Sequence, residues 1–154
     1  MVTRLEVVSE ARTWLRTPFH HQAEVKGAGA DCAGLLRGVC IALRLLPADY
    51  RLLPAAAPYV GYGMTPDGVQ MQKACDTFMT PITAEEMQPG DAILIRWGRY
   101  PQHVGLLGDY LHGGLSIIHA VCDARGRGSV LEQRLDEQMR RRIVAAYRLR
   151  GVVA

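Results

Sequence analysis

"QPGDAILIRW", residues 88 to 97, is where the character of the chain changes. Pro89 and Gly90 side by side mark a turn. The six residues that follow, Ala92 to Trp97, are an apolar run of strand length. Further runs of the same kind come after it: "HVGLLGDY" at 103–110, "LSIIHAV" at 115–121, "SVLEQR" at 129–134 and "RIVAAYRLR" at 142–150. In the last of these, strict alternation puts Ile143, Ala145, Tyr147 and Leu149 on one side.

Before the turn, the apolar spacing is helical. Thr3 to Glu6 fits a capping box that opens a first helix with Leu5, Val8, Ala11 (or Arg12) and Leu15 on one stripe. Pro18 disfavours helix in the residue before it, so the helix should stop near Arg16. Residues 17–30 read as a loop. Asp31 is a good N-cap for a second helix with Cys32, Leu35, Leu36, Val39, Cys40 and Leu43 on one face, ended by Pro47. Residues 47–66 carry Pro47, Pro54, Pro58 and Pro66 with Tyr50, Tyr59 and Tyr62, an extended loop long enough to shape a groove or act as a lid. A third helix is expected over about 67–79, with Met71, Ala74, Cys75 and Phe78 inward. "TAEE" at 83–86 is a weaker capping box. Helices first and strands after give an α+β fold: N-terminal helices packed on a mainly antiparallel β-sheet.

The 154 residues, 49% hydrophobic and 21% charged, suit one domain over 1–154 with a real core. The N-terminus lacks the marks of a secretory signal, and no apolar run reaches the roughly 18 residues of a membrane span. Synthesis in the cytoplasm is expected, with another route out for any extracellular work. The net charge of +3 comes with eight arginines between Arg125 and Arg150. Glu132, Asp136 and Glu137 dilute them and no aromatics interleave, so nucleic acid is not the expected partner. Paired-cysteine and H-E-x-x-H spacings are missing, so no metal or other cofactor is expected. Cys40, Cys75 and Cys122 read as small buried hydrophobes.

Cys32 has a different address. At a helix N-terminus, free backbone N–H groups and the helix dipole favour a thiolate and can hold a tetrahedral oxyanion. Cys40 lies two turns further on, beyond both effects. Of the five histidines, His103 opens an apolar strand and His119 closes another. If those strands pair as a hairpin through 109–114, the two imidazoles become neighbours and His119 can orient His103 as a base. The same residues also fit a plainer reading, with the cysteine as core filler and the histidines at the rim of a sheet.

In order along the chain, "TPFHHQAEVKGAGADCAGLLRGV", "PGDAILIRW", "HVGLL" and "IIHA" resemble the NlpC family of papain-like cell-wall cysteine peptidases, especially its phage-encoded subgroup. The resemblance runs from about Ala11 to the C-terminus. It implies a papain-like α+β domain that hydrolyses peptidoglycan stem peptides, typically between D-γ-glutamyl and diaminopimelate or lysine. By motif it makes Cys32 the nucleophile, His103 the base and His119 the orienting residue, with Asp31 and Gly34 flanking the cysteine. Asp31, Phe19, His20 and His21 become candidates for contact with substrate. It also implies association with other phage tail proteins and action from the virion at the cell wall. Phe19 stands where many members have tyrosine, and Ala33 where many have serine. These departures keep alive a weakened or purely structural tail component. An amidase cutting the sugar–peptide link is a further alternative on the same fold.

Overall fold

The computed structural model describes residues 1–53, 56, 67–97 and 100–154. In chain order the elements are β1 (Val2–Thr3), α1 (Arg4–Arg12), β2 (Glu24–Val25), β3 (Gly29–Ala30), α2 (Cys32–Ala42), α3 (Gly68–Phe78) and β4 (Met79–Ile82). There follow β5 (Ala92–Trp97), β6 (Tyr100–Asp109), β7 (Leu115–Cys122), β8 (Gly128–Arg134), α4 (Glu137–Arg140), β9 (Ile143–Leu149) and β10 (Val152–Val153). The turn at 88–91 does separate a helical half from a strand-rich half. Its Asp91 is fully buried, yet it is ionically matched: Arg4 lies 2.8 Å away and Arg148 3.2 Å away. A carboxylate without such partners would not tolerate that burial.

Six strands form one sheet in the order β4-β9-β5-β6-β7-β8, and every pairing in it is antiparallel. Alternation divides the apolar residues between its two faces. Leu94, Val104, Leu106, Ile118, Ala120 and Tyr147 face the helices and meet Val7, Val8, Ala11, Trp14, Leu35 and Val39. Ile93, Ile95, Leu107 and Ile117 face the other way and pack with Leu135, Met139 and Ala146. The turn after α1 packs closely on α2 because Gly38 has no side chain: a Cβ there would run into the Trp14 ring. Both capping boxes form, the first at Thr3–Glu6 and the second on a short 3₁₀ turn at Ala84–Glu86. β1 pairs in parallel with β10, Val2 opposite Val152.

Several expectations need correction. α1 ends at Arg12, not Arg16, and Leu5 points to solvent while Val7, Val8 and Ala11 form the buried stripe. Looser turns follow, and Arg16 takes a left-handed φ of 71° that swings the chain onto β8, where its N–H donates to Val130 O. The alternation of the last strand also breaks. A register shift between Leu94 and Ile95 leaves Val144 unpaired, so Ile143 turns to the opposite face from Tyr147 and Leu149. Cys122 is exposed at the end of β7, where the strand runs past the core. β6 begins at Tyr100, so His103 is its fourth residue. Of the 47–66 loop, Tyr50–Leu52 forms a 3₁₀ turn, and residues 54, 55 and 57–66 of that expected lid lie outside the described residues. Among the described residues, no helix is long and apolar enough to cross a membrane.

Candidate active site

The site is built where the central sheet opens. β6 and β7 pair from Asp109–Leu115 as far as Leu106–Ile118, and there the pairing stops. Each strand continues, β6 along β5 and β7 along β8. Into this end of the sheet the chain puts two histidines and the start of α2. His103 on β6 and His119 on β7 reach across the opening, with His103 Nε2 2.7 Å from His119 Nδ1. Gly105 makes room between them, since a Cβ there would meet Ile117 and lie 3.3 Å from His119 Cβ.

The hydrogen bonds fix the protons. His119 Nε2 lies 3.2 Å from Gln133 Oε1, an acceptor, so Nε2 carries the hydrogen. A neutral His119 then has a bare Nδ1, which must accept from His103 Nε2–H. A neutral His103 is left with a lone pair on Nδ1, and that atom has no hydrogen-bond partner among the described residues. Both rings are neutral because burial disfavours their charged forms. His103 is driven down to about 3 by burial and then by the neighbouring His119. His119 is lowered by burial, against the opposing effect of Gln133.

Cys32 is the first residue of α2, as the N-cap reading required. Asp31 is a buried cap whose carboxylate accepts from Gly34 N–H at 2.7 Å and from Gln22 N–H at 2.8 Å. Gly34 must be glycine, because a Cβ would collide with the Ala23 carbonyl. The cap takes the third amide of the helix and leaves that of Cys32 without a partner among the described residues, while the Ala33 amide is turned to the Cys32 sulfur. The sulfur lies against the backbone amide of Val104, the residue after His103. No hydrogen bond joins the Cys32 and His103 side chains.

The expected thiolate needs correction. Although part of Cys32 remains exposed, burial of its sulfur pushes the thiol up to about 11. The amides of Val104 and Ala33 favour the anion, while the Asp31 carboxylate opposes it, and burial wins. The resting pair is therefore a neutral thiol and a neutral imidazole. Cys40 and Cys75 are pushed to about 12, and for Cys40 burial acts alone with no amide opposing it. Both line an apolar cavity of about 360 Å³ whose wall also includes Ala33 and Val104, so it abuts Cys32.

The remaining sequence candidates lie in the segment between α1 and β2. Phe19 bridges Ala30 and donates its N–H to Gly128 O at 2.9 Å. His20 is exposed, its Nδ1 3.1 Å from His21 O, and His21 Nδ1 lies 3.9 Å from Asp31. Two neighbours were missed by sequence reasoning. Gln133 shares the His119 side of β8 with Leu131, which pairs directly with His119, but only the register reveals this. Trp97, at the end of β5, has its ring centroid 5.5 Å from that of His103.

This fold has solved counterparts. The NlpC/p60 domain of the peptidoglycan hydrolase SagA superposes with a TM-score of 0.59 at 20% identity, over 96% of this chain and 100% of that one. The fold is the NlpC/p60 fold. A lipoprotein-like member of the NLP/P60 family from Staphylococcus aureus gives a TM-score of 0.56 at 20% identity, over 95% of this chain and 41% of that one. Ly7917 gives 0.61 at 12% identity, over 96% of this chain and 63% of that one. No protein-family model matches the sequence. No curated protein matches it either.

Proposed function

We propose that this NlpC/p60-fold chain is a cell-wall cysteine peptidase that hydrolyses peptidoglycan stem peptides, at the bond between D-γ-glutamyl and diaminopimelate or lysine. The observation that carries the reading is the His103–His119 hydrogen bond at the open end of the sheet, beside the helix that starts with Cys32. Cys32 is the nucleophile, His103 the general base and His119 the residue that orients it. In the first step the Cys32 sulfur attacks the scissile carbonyl carbon while its proton passes to His103 Nδ1. The developing oxyanion is held by the unpartnered Cys32 amide at the start of α2. His103 then gives that proton to the leaving amine as the C–N bond breaks, leaving a thioester on Cys32. A water, deprotonated by His103, hydrolyses the thioester and restores the thiol. The adjoining cavity offers room for apolar groups on the acyl side. Association with a phage tail, with the wall as the place of action, rests on the sequence resemblance alone.

The test is digestion of purified sacculi followed by mass spectrometry of the soluble fragments. Wild-type protein should release fragments with a new amine on diaminopimelate or lysine, and Cys32→Ala should release none. Equal release by both would overturn the role of Cys32. Intact stem peptides freed from the sugar would point to an amidase. No release from several wall types would favour a structural tail component.

A further inference from the structure

Arg142 shares an aromatic neighbour, Trp97, with the base. It lies between α4 and β9, and its backbone is tied on both sides: its N–H donates to Met139 O at 3.0 Å, and its carbonyl accepts from Arg96 N–H at 2.8 Å. Its guanidinium carbon sits 5.1 Å from the centroid of the Trp97 ring. That ring is the one whose centroid is 5.5 Å from His103. A guanidinium held over an indole by cation–π attraction keeps its N–H fork available to a planar anion. Several arginines of the C-terminal half have ion-pair partners: Arg148 is bound to Asp91, Arg141 to Glu137 and Arg127 to Asp123, while the Arg134 guanidinium meets only the Tyr110 ring among the described residues. Arg142 has no hydrogen bond or ion pair from its side chain among the described residues.

We infer that Arg142, braced on Trp97, binds a carboxylate of the substrate close to the scissile bond and so selects acidic peptides. This rests on the proposed peptidase reading and adds a specificity residue to it. One aromatic ring separates Arg142 from His103. A carboxylate on a residue flanking the cleaved bond can span that distance, and an anion there meets a cation that needs no rearrangement to receive it. The same charge discriminates against a neutral amide in that position, which offers no counterion to the fork.

The experiment uses an L-alanyl-γ-D-glutamyl-diaminopimelate tripeptide with free carboxylates, and its carboxamide analogue. Kinetics and calorimetric binding are measured in parallel, the latter on Cys32→Ala protein so that nothing is consumed. Wild type should favour the free acid at least about tenfold in kcat/KM, through KM. Arg142→Gln should lose that preference by weakening the acid alone, and Arg142→Lys should keep part of it. In calorimetry, Cys32→Ala should bind the acid more tightly than the amide, and adding Arg142→Gln should level the two. An undiminished preference in Arg142→Gln, equal slowing of both peptides, or no binding of the acid to Cys32→Ala would overturn the assignment. Selective binding without turnover by wild type would instead retain Arg142 and refute the peptidase reading.

Discussion

His103 Nε2 and His119 Nδ1 are 2.7 Å apart, and this one contact decides which nitrogen of His103 is free. The proton order runs from Gln133 inward, so the residue furthest from Cys32 fixes the state of the base. His119→Ala breaks the relay and should lower kcat by about 100-fold or more with little change in KM. His119→Asn, whose side-chain oxygen can accept the same hydrogen, should recover a large part. Steady-state kinetics on a stem-peptide substrate checks this.

Gln133 acts one step further out. Gln133→Leu removes a hydrogen bond of about 1 kcal/mol and should lower kcat by up to about tenfold. Gln133→Glu places a negative charge on the same contact and favours imidazolium. The acid limb of its pH–rate profile should therefore lie at higher pH than in wild type. Superimposable profiles would contradict the relay.

The neutral resting pair predicts the reactivity of the free protein. With the Cys32 thiol pushed up to about 11, its alkylation by iodoacetamide should be slow at pH 7 and rise steadily through pH 9 and above. A standing thiolate–imidazolium pair would instead give a fast rate that is flat from weakly acidic pH upward. Mass spectrometry of the peptide containing Cys32 distinguishes the two.

Acid should weaken the fold from about pH 6.5 downward. His103 sits at about 3 in the folded protein against an ordinary 6.5, so the unfolded chain takes up its proton first. Its contribution is complete above about 6.5 and is lost as the pH falls towards 3, at up to about 1.4 kcal/mol per pH unit. His119 is lowered too and works in the same direction. Glu24 and Glu132, both lowered, stay ionised until more acidic pH. Urea titrations between pH 7 and 5 should show the slope, and His103→Leu should flatten it.

Asp31 joins the N-terminus of α2 to the loop before it. Asp31→Ala should cost about 1–2 kcal/mol from loss of the cap, and more where Gln22 N–H is also left unpaired. Thermal melts measure this. An unchanged midpoint would show that the cap is replaceable.

The parts of this fold legible in the sequence were those set by local chemistry. Asp31 as a cap, the 88–91 turn and the strand runs after it depend on neighbours within a few residues. Pairing across the chain was legible only in outline. The hairpin guess brought His103 and His119 together, but it did not reveal that the strands separate beyond Leu106 and Ile118. Ile143 was put on the wrong face because a register shift leaves no mark in an alternating pattern. The thiolate expectation failed for a similar reason. A helix N-terminus can be read from Asp31 and Cys32, whereas the burial that outweighs it comes from elements far away in sequence.

The opening between β6 and β7 also bears on how the protein avoids sticking to itself. A strand edge with free backbone groups invites pairing with another chain. Here the edge is internal: β5 and β8 flank it, and two imidazoles and the tip of α2 stand at its mouth. Such an edge is out of reach of a second folded copy. The site can therefore sit on a strand edge without offering that edge to another copy of the chain.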